Sequence, residues 1–563
     1  MLSLLSAPRI LEEIVLCAIC LTPLTPPIEL RSLLLTSRAF NACLSFRACP
    51  GLYVQIFERE FDTAALKRRF SNDLSQDHVA FELRRRFTAL QCIRQCRFED
   101  PRLTDALLTA YLMFLEDDDK NWTHLLNANL PYFAKELVRR RLRGISRQDR
   151  EWPSGNGMNT FAMALLWFTT SEASIQAENA EERHEMLDLL APFVYAAFRY
   201  PCADMPEHEF HPPEAGSAIK MGFTAHGPYP PLCPKARHIL YFGQSFDLRP
   251  PHVAVYAILS YFVRREVGAL QIPDLAPRTR AESPGLPSVT RADIEEFNAR
   301  CRTHFVQTAR AIDHSGLTKS QKHDPDWARA IGYSDPSPTV GGAILSQPRF
   351  YRLGMLTGLW RGSSIVPCGI EYKAWLDNER IPSLCRLSFR VPLYFRLQEH
   401  YCYSPSLPLL VPDSVEGFRN AWFPQGCTWV QHEDGLELFN ASGSPIAYYV
   451  TPHAPSGTGP VNQSPLLDAA TRGVVDIILT GQTDTTHSEA YGGFRFFGRV
   501  RPADGLIVMV REPLDPTMDW LGRSVFRGHL LSSQNMVGRW RPADTGVEAA
   551  DWEVPWSVCK SMD

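Results

Sequence analysis

Asp484 and His487 stand three residues apart in the stretch TGQTDTTHSEAYGG. A carboxylate and an imidazole at that spacing can act as an acid–base pair if a nucleophile comes within reach. A second set, Cys202, His208, His211 and Cys233, consists of zinc-ligand residue types. Its H-x-x-H spacing suits neighbouring ligands, but the cysteines are placed irregularly, and His208-Glu209-x-His211 is not the H-E-x-x-H of metalloproteases. Cys17 and Cys20 also have metal-like spacing, with no second Cys/His pair nearby. The last group is cationic. Between positions 491 and 541 there are eight arginines, no lysine and four acidic residues, and Arg495, Arg499 and Arg501 share one face of an alternating segment.

Each group has a plainer reading. Asp and Thr in such a loop usually make side-chain-to-backbone turns. No G-x-S-x-G elbow, Walker A sequence or dinucleotide fingerprint is present. The Cys/His set lies in a Pro- and His-rich stretch, 201–251, that reads as a solvated loop, and Cys17 and Cys20 read as core thiols of a helix. The expectation is a non-catalytic chain with no metal and no cofactor. The arginine face has two readings. It lines a barrel mouth and grips a carboxylate or phosphate bidentately, or it is an outer face paired with acids.

The elements that must position these residues follow from pattern. The chain has 563 residues, 45% hydrophobic and 21% charged, so several ordinary globular units are expected. A net charge of −4 argues against a whole-protein nucleic-acid binder. The runs Arg84–Arg86 and Arg139–Arg141 read as solvated helix faces. Fourteen cysteines without framework spacing imply reduced thiols, hence cytoplasm or nucleus. No apolar run reaches ~18 residues. NTFAMALLWFTT, residues 159–170, reads as a buried helix. The first stretch is broken by Pro8, Arg9, Glu12 and Glu13, so neither a signal peptide nor a membrane partner is expected.

Helical periodicity dominates to about position 200 and resumes over 252–270 and 293–313, with a Pro/Arg/Ser linker at 272–288. Beyond 340 the period changes to 2. FRFFGRVRPADGLIVMVREP reads as two strands around Pro502-Ala503-Asp504-Gly505, and GRSVFRGHLL with NMVGRWR as two more around Ser532-Ser533-Gln534. Gly498-Arg-Val-Arg-Pro-Ala-Asp504 recurs as Gly538-Arg-Trp-Arg-Pro-Ala-Asp544. The predicted layout is α+β: a three-helix unit over 1–61, a helical middle over 62–340 and an antiparallel β-barrel over 341–563.

Two resemblances add to this. Leu11-x-x-Ile14-Val15, Glu29-Leu30, Ser37-Arg38-Ala39-Phe40 and Leu52-Tyr53 resemble an F-box. Gly358-Leu359-Trp360-Arg361-Gly362, the meander of hairpins and Gly538-x-Trp540 resemble small up-and-down barrels of the lipocalin and streptavidin sort. The whole looks like fungal F-box proteins with a C-terminal barrel-like domain. That resemblance implies a non-enzymatic substrate receptor of an SCF-type (cullin-RING) ubiquitin ligase, bound to a Skp-type adaptor and a cullin scaffold. Leu11, Ile14, Val15, Leu30, Leu34, Phe40, Leu52 and Tyr53 are the adaptor-binding residues it implies. The barrel would then read an unknown protein substrate, with Arg495, Arg499, Arg501, Trp360 and Trp540 as the expected contacts. The alternative is a barrel that binds a small ligand and has no ligase role.

Overall fold

The computed structural model describes residues 8–19, 24, 26–70, 74–147, 151–204, 207–211, 222–231, 236–282, 289–306, 318–332, 339–340, 343–344, 353–378, 388–403, 409–411, 419–452 and 474–561. Helices come first. α1 (Pro8–Ile19), α2 (Ile28–Thr36), α3 (Arg38–Leu44) and α4 (Pro50–Glu60) form the N-terminal unit. Sequence reasoning expected three helices here. Ser37 makes the fourth, because its extended backbone breaks the run and its hydroxyl accepts from Ala39 N at 3.0 Å, capping α3. Pro50 opens α4, where its missing N–H has no partner to lose.

The helical body continues through α5 (Ala64–Arg69), α6 (Gln76–Arg94), α7 (Leu103–Leu115), α8 (Lys120–Asn127), α9 (Leu130–Arg147), α10 (Gly157–Thr169), α11 (Glu172–Ala177), α12 (Ala180–Tyr195) and α13 (Val253–Arg265). α7, α10 and α13 are apolar on all sides and pack together at its centre. α10 is the buried helix expected from NTFAMALLWFTT. Among the described residues no helix is long and apolar enough to cross a membrane.

Several expectations are revised. The stretch 201–251 holds two hairpins, Gly222–Thr224 with Gly227–Tyr229 and Arg237–Tyr241 with Gln244–Leu248, where a loop was expected. The helix expected over 293–313 is α14 (Arg291–Arg300), and positions 307–313 lie outside the described residues. Arg86 is not on a solvated face. It is buried, with Glu116 at 2.5 Å and the Tyr241 hydroxyl at 3.2 Å. Arg139 and Arg140 are held by Glu185 and Glu136, each at 2.7 Å.

Eleven strands make one antiparallel sheet: β1 (Gly358–Pro367), β2 (Ser388–Cys402), β3 (Thr428–Gln431), β4 (Gly435–Phe439), β5 (Pro445–Val450), β6 (Asp476–Gln482), β7 (Phe494–Val500), β8 (Ile507–Pro513), β9 (Ser524–Leu531), β10 (Asn535–Pro542) and β11 (Val554–Lys560). β6 to β11 pair in sequence, β11 pairs with β1, β1 with β2, and β2 returns to β6. This closes an eight-stranded barrel and leaves it no edge. The long β2 also pairs with β5, so β5, β4 and β3 run on from it as an extension.

The register assigns the two faces. Trp360, Phe395, Leu479, Phe496, Met509, Phe526, Met536, Trp556 and Val558 point inward and fill the barrel with side chains. Glycine is needed at the tightest approach. Gly528 faces Gly538 across β9 and β10, and a Cβ on Gly538 would lie 1.8 Å from Arg527 O. The outer face is apolar as well. Phe497, Val508, Val510 and Val525 are covered by Phe210, Trp422, Phe423, Leu436 and Tyr449, while Ile365, Leu531 and Val537 join the core of the helical body.

This covered outer face explains the arginine-rich echo. In both copies the glycine turns inward and the two arginines turn outward beneath the cover. Arg499 pairs with Asp476 at 2.6 Å and donates to Trp422 O at 2.8 Å. Arg539 donates to Phe193 O, Val194 O and Tyr200 O at 2.7, 3.1 and 2.6 Å, capping the C-terminal end of α12. Arg501 takes Asp504 at 2.6 Å and Glu209 O at 2.9 Å, and Arg541 takes Gly546 O at 2.8 Å. Guanidinium forks satisfy irregular backbone that crosses the barrel wall, where no ladder partner exists.

His400 also faces outward, between Thr451 Oγ1 at 2.7 Å and Thr480 Oγ1 at 2.8 Å. Burial with no acid beside it pushes its pKa down to about 4. The unfolded chain takes up a proton near pH 6.5 that the folded chain refuses until about pH 4. Stability is therefore complete above pH 6.5 and falls as pH drops through that window, by up to about 3 kcal/mol. Urea unfolding at pH 7.5, 6, 5 and 4 checks this. A His400→Gln variant is expected to show a flatter profile, and an identical slope would remove the assignment.

Candidate binding site at the open end of the barrel

The two ends of the barrel differ. At one end the segment Leu353–Thr357 crosses the opening. The Glu399 carboxylate accepts from the N–H groups of Gly354, Leu356 and Thr357 at 2.7, 2.5 and 2.9 Å. Trp360 Nε1 donates to Leu356 O at 2.7 Å, and Lys560 Nζ to Met355 O at 3.2 Å. Trp360 and Glu399 are fully buried, so this end is sealed.

At the other end inward-facing positions reach solvent. Phe389 is 67% exposed and Val391 41%, although both alternate with residues of the barrel wall. The β8–β9 connection adds Leu514, Trp520 and Leu521 as further exposed apolar residues. Just inside stands Arg511. Its guanidinium carbon lies 4.4 Å from the Phe494 ring, 5.5 Å from Phe526 and 5.5 Å from Trp540. Its hydrogen bond to Ser524 Oγ is long, 3.5 Å, and its Nε is buried without a hydrogen-bond partner. Among the described residues no carboxylate lies within ion-pair range of it, since Glu512 faces outward to Arg495. Burial alone lowers its pKa to about 10. Trp540 Nε1 and Trp552 Nε1, from rings 5.4 Å apart, are likewise buried donors without acceptors.

The expected substrate contacts are distributed differently. Trp360 is in the sealed end, and Trp540 is at the open end. Arg495, Arg499 and Arg501 face outward, not into the mouth. Arg495 is exposed and bridged to Glu512. Arg499 and Arg501 are buried with their forks engaged, so the grip on a ligand expected of them is corrected to a role in holding the cover. Arg511 was missed because it is one of eight arginines in its region. The signal was its parity: on β8 it alternates with Val508 and Val510 and keeps step with Ile507 and Met509.

The other sets do not assemble. His487 Nδ1 lies 2.7 Å from Asp484, its ring stacks on Tyr394 at 3.7 Å, and Asp484 caps the helix Thr485–Tyr491. Among the described residues His487 Nε2 has no hydrogen-bond partner, and the group beside it is the Glu296 carboxylate at 3.6 Å, an acid and not a Ser, Thr or Cys nucleophile. Cys202 and His208 are buried, His211 is exposed, and Cys233 and Cys20 lie outside the described residues. Among the described residues no three His, Cys, Asp or Glu side chains gather as a metal site.

In the N-terminal unit Leu11, Val15, Leu30 and Leu52 are buried by the chain itself, and Leu34, Phe40 and Tyr53 are partly buried. Ile14 is 47% exposed, beside Ile10 at 54%, Ile28 at 59% and Leu35 at 75%. No family model, curated protein or solved structure matches the chain.

Proposed function

We propose that this chain is a non-catalytic substrate receptor of an SCF-type ubiquitin ligase, active in cytoplasm or nucleus. In this reading its N-terminal helices dock on a Skp-type adaptor that links to a cullin scaffold, and its barrel recruits a protein substrate through the open end. The observation that carries the reading is the exposure of Ile10, Ile14, Ile28 and Leu35 on two consecutive short helices. Leu11, Val15, Leu30 and Leu52 anchor these helices from beneath and leave the aliphatic side chains outside with no use inside the fold. Each would supply roughly 1.5–3 kcal/mol if a partner covered it. Together that is comparable to the ~4–15 kcal/mol that association costs. The lipocalin-like reading of the barrel is supported by its sequential strand order and by Trp360 holding the sealing segment.

The test is capture of a purified Skp-type adaptor by the full chain. Ile14→Asp with Leu35→Asp is expected to weaken capture by at least about tenfold. Both positions are solvent-facing, so the unfolding midpoint should barely move. Equal capture by variant and parent, or none by either, would overturn the adaptor reading.

A further inference from the structure

The open end of the barrel contains a cation, Arg511, with no carboxylate in ion-pair range among the described residues. Barrel arginines elsewhere show the contrast. Arg499, Arg501 and Arg527 have carboxylates at 2.6 to 2.7 Å, and Arg539 has three carbonyls. Arg511 has one long contact to a hydroxyl and a cage of rings. Cation–ring attraction of about 0.5–2 kcal/mol per good face does not replace the hydration that a partly buried guanidinium gives up. The indole N–H of Trp540 beside it is unmet too, as is that of Trp552, whose ring packs edge-on against Trp540. A cluster of N–H donors without acceptors lacks an anion.

We propose that this end of the barrel binds an organic carboxylate carried on an apolar or aromatic body, with the carboxylate on Arg511 and the body against Phe494, Trp540 and the rim residues Phe389, Val391 and Trp520. One planar guanidinium and no lysine suit a planar monoanion, which it meets bidentately, better than a phosphate dianion. The deeper interior is filled by Phe526 and Trp556, so the ligand occupies the mouth and its apolar part leans on the exposed rim. The inference concerns the barrel alone and stands whether or not the adaptor reading holds.

Two arms of one titration on the full chain, followed by tryptophan fluorescence and calorimetry, test it. 3-Phenylpropionate is compared with 3-phenylpropionamide, and an N-acetylated, C-amidated Ala-Phe-Glu-Phe-Ala peptide with its Gln counterpart. The acid is expected to bind about tenfold or more tighter than the amide in at least one arm. The arm that responds tells whether the carboxylate comes free or on polypeptide. Arg511→Met should erase the preference, while Arg495→Gln, on the outer wall, should keep it. Arg511→Met should also raise the unfolding midpoint, because it removes an uncompensated charge from the mouth. No acid preference in either arm, or a preference that survives Arg511→Met, overturns the proposal. So does a midpoint that falls on Arg511→Met, which would make Arg511 a structural residue.

Discussion

Replacing Arg499 with alanine is expected to lower the free energy of unfolding by about 3–5 kcal/mol, because it leaves Asp476 buried and charged without its partner. The guanidinium does three things at once. It pairs with Asp476 at 2.6 Å, donates to Trp422 O at 2.8 Å and Leu409 O at 3.2 Å, and lies 4.1 Å over the Phe210 ring. Asp476 in turn accepts from the Tyr449 hydroxyl at 2.5 Å, and that hydroxyl accepts from Leu409 N at 3.0 Å. The pair therefore ties the strand extension and the Trp422 region to the outer wall. Arg495 on the same face is the control. It is exposed and bridged to Glu512, and its alanine variant should cost about 0–1 kcal/mol. Urea unfolding of both variants separates the cases. The double variant Arg499→Met, Asp476→Leu should recover part of the loss, since two apolar groups leave no orphan charge. Recovery stays partial because the two carbonyls still lack a donor. A loss below about 1 kcal/mol for Arg499→Ala would show that the cover is held by apolar packing alone.

The second large effect belongs to Glu399. Its carboxylate accepts from three backbone N–H groups of the sealing segment and from the Tyr401 hydroxyl, which itself accepts from Gly354 N at 2.8 Å. In Glu399→Ala those donors lose the carboxylate inside the barrel, at about 1–3 kcal/mol for each one left unpaired where no water enters. The expected loss is about 3–5 kcal/mol, short of the full sum because the segment can swing out and hydrate. That movement has its own readout. Trp360 Nε1 would lose Leu356 O and meet water, so tryptophan emission should shift to the red. Glu399→Gln keeps one acceptor oxygen and should lie between. An alanine variant with parental stability and unmoved emission would remove Glu399 from the seal. The seal matters to function in either reading, because a barrel closed at one end presents a single mouth.

A contrast between the barrel arginines runs through both readings. Five sit on the outer face with carboxylate or backbone-carbonyl partners, while Arg511 sits at the mouth with none of comparable quality. A fold under selection for stability alone would place an apolar residue there. Retaining a caged cation at the rim of a sealed barrel is the pattern expected where a ligand supplies the missing charge.

What the sequence determined by itself is local. β7 and β8 came from period-2 alternation around Pro502-Ala503-Asp504-Gly505, where Gly505 takes a φ of +72°. α10 came from an apolar run too short to span a bilayer. These depend on neighbours a few residues away. Tertiary structure decided which face of the strands is inside. Phe497, Val508 and Val510 are as apolar as Phe496, Ile507 and Met509, because the outer face is also buried, so alternation marks two faces without ranking them. Closure rests on β1 with β11 and β2 with β6, pairs whose partners lie far apart in the chain and carry no local signal. Arg499 became a strut and Arg511 a site only when that closure sent one outward under the cover and the other into the mouth.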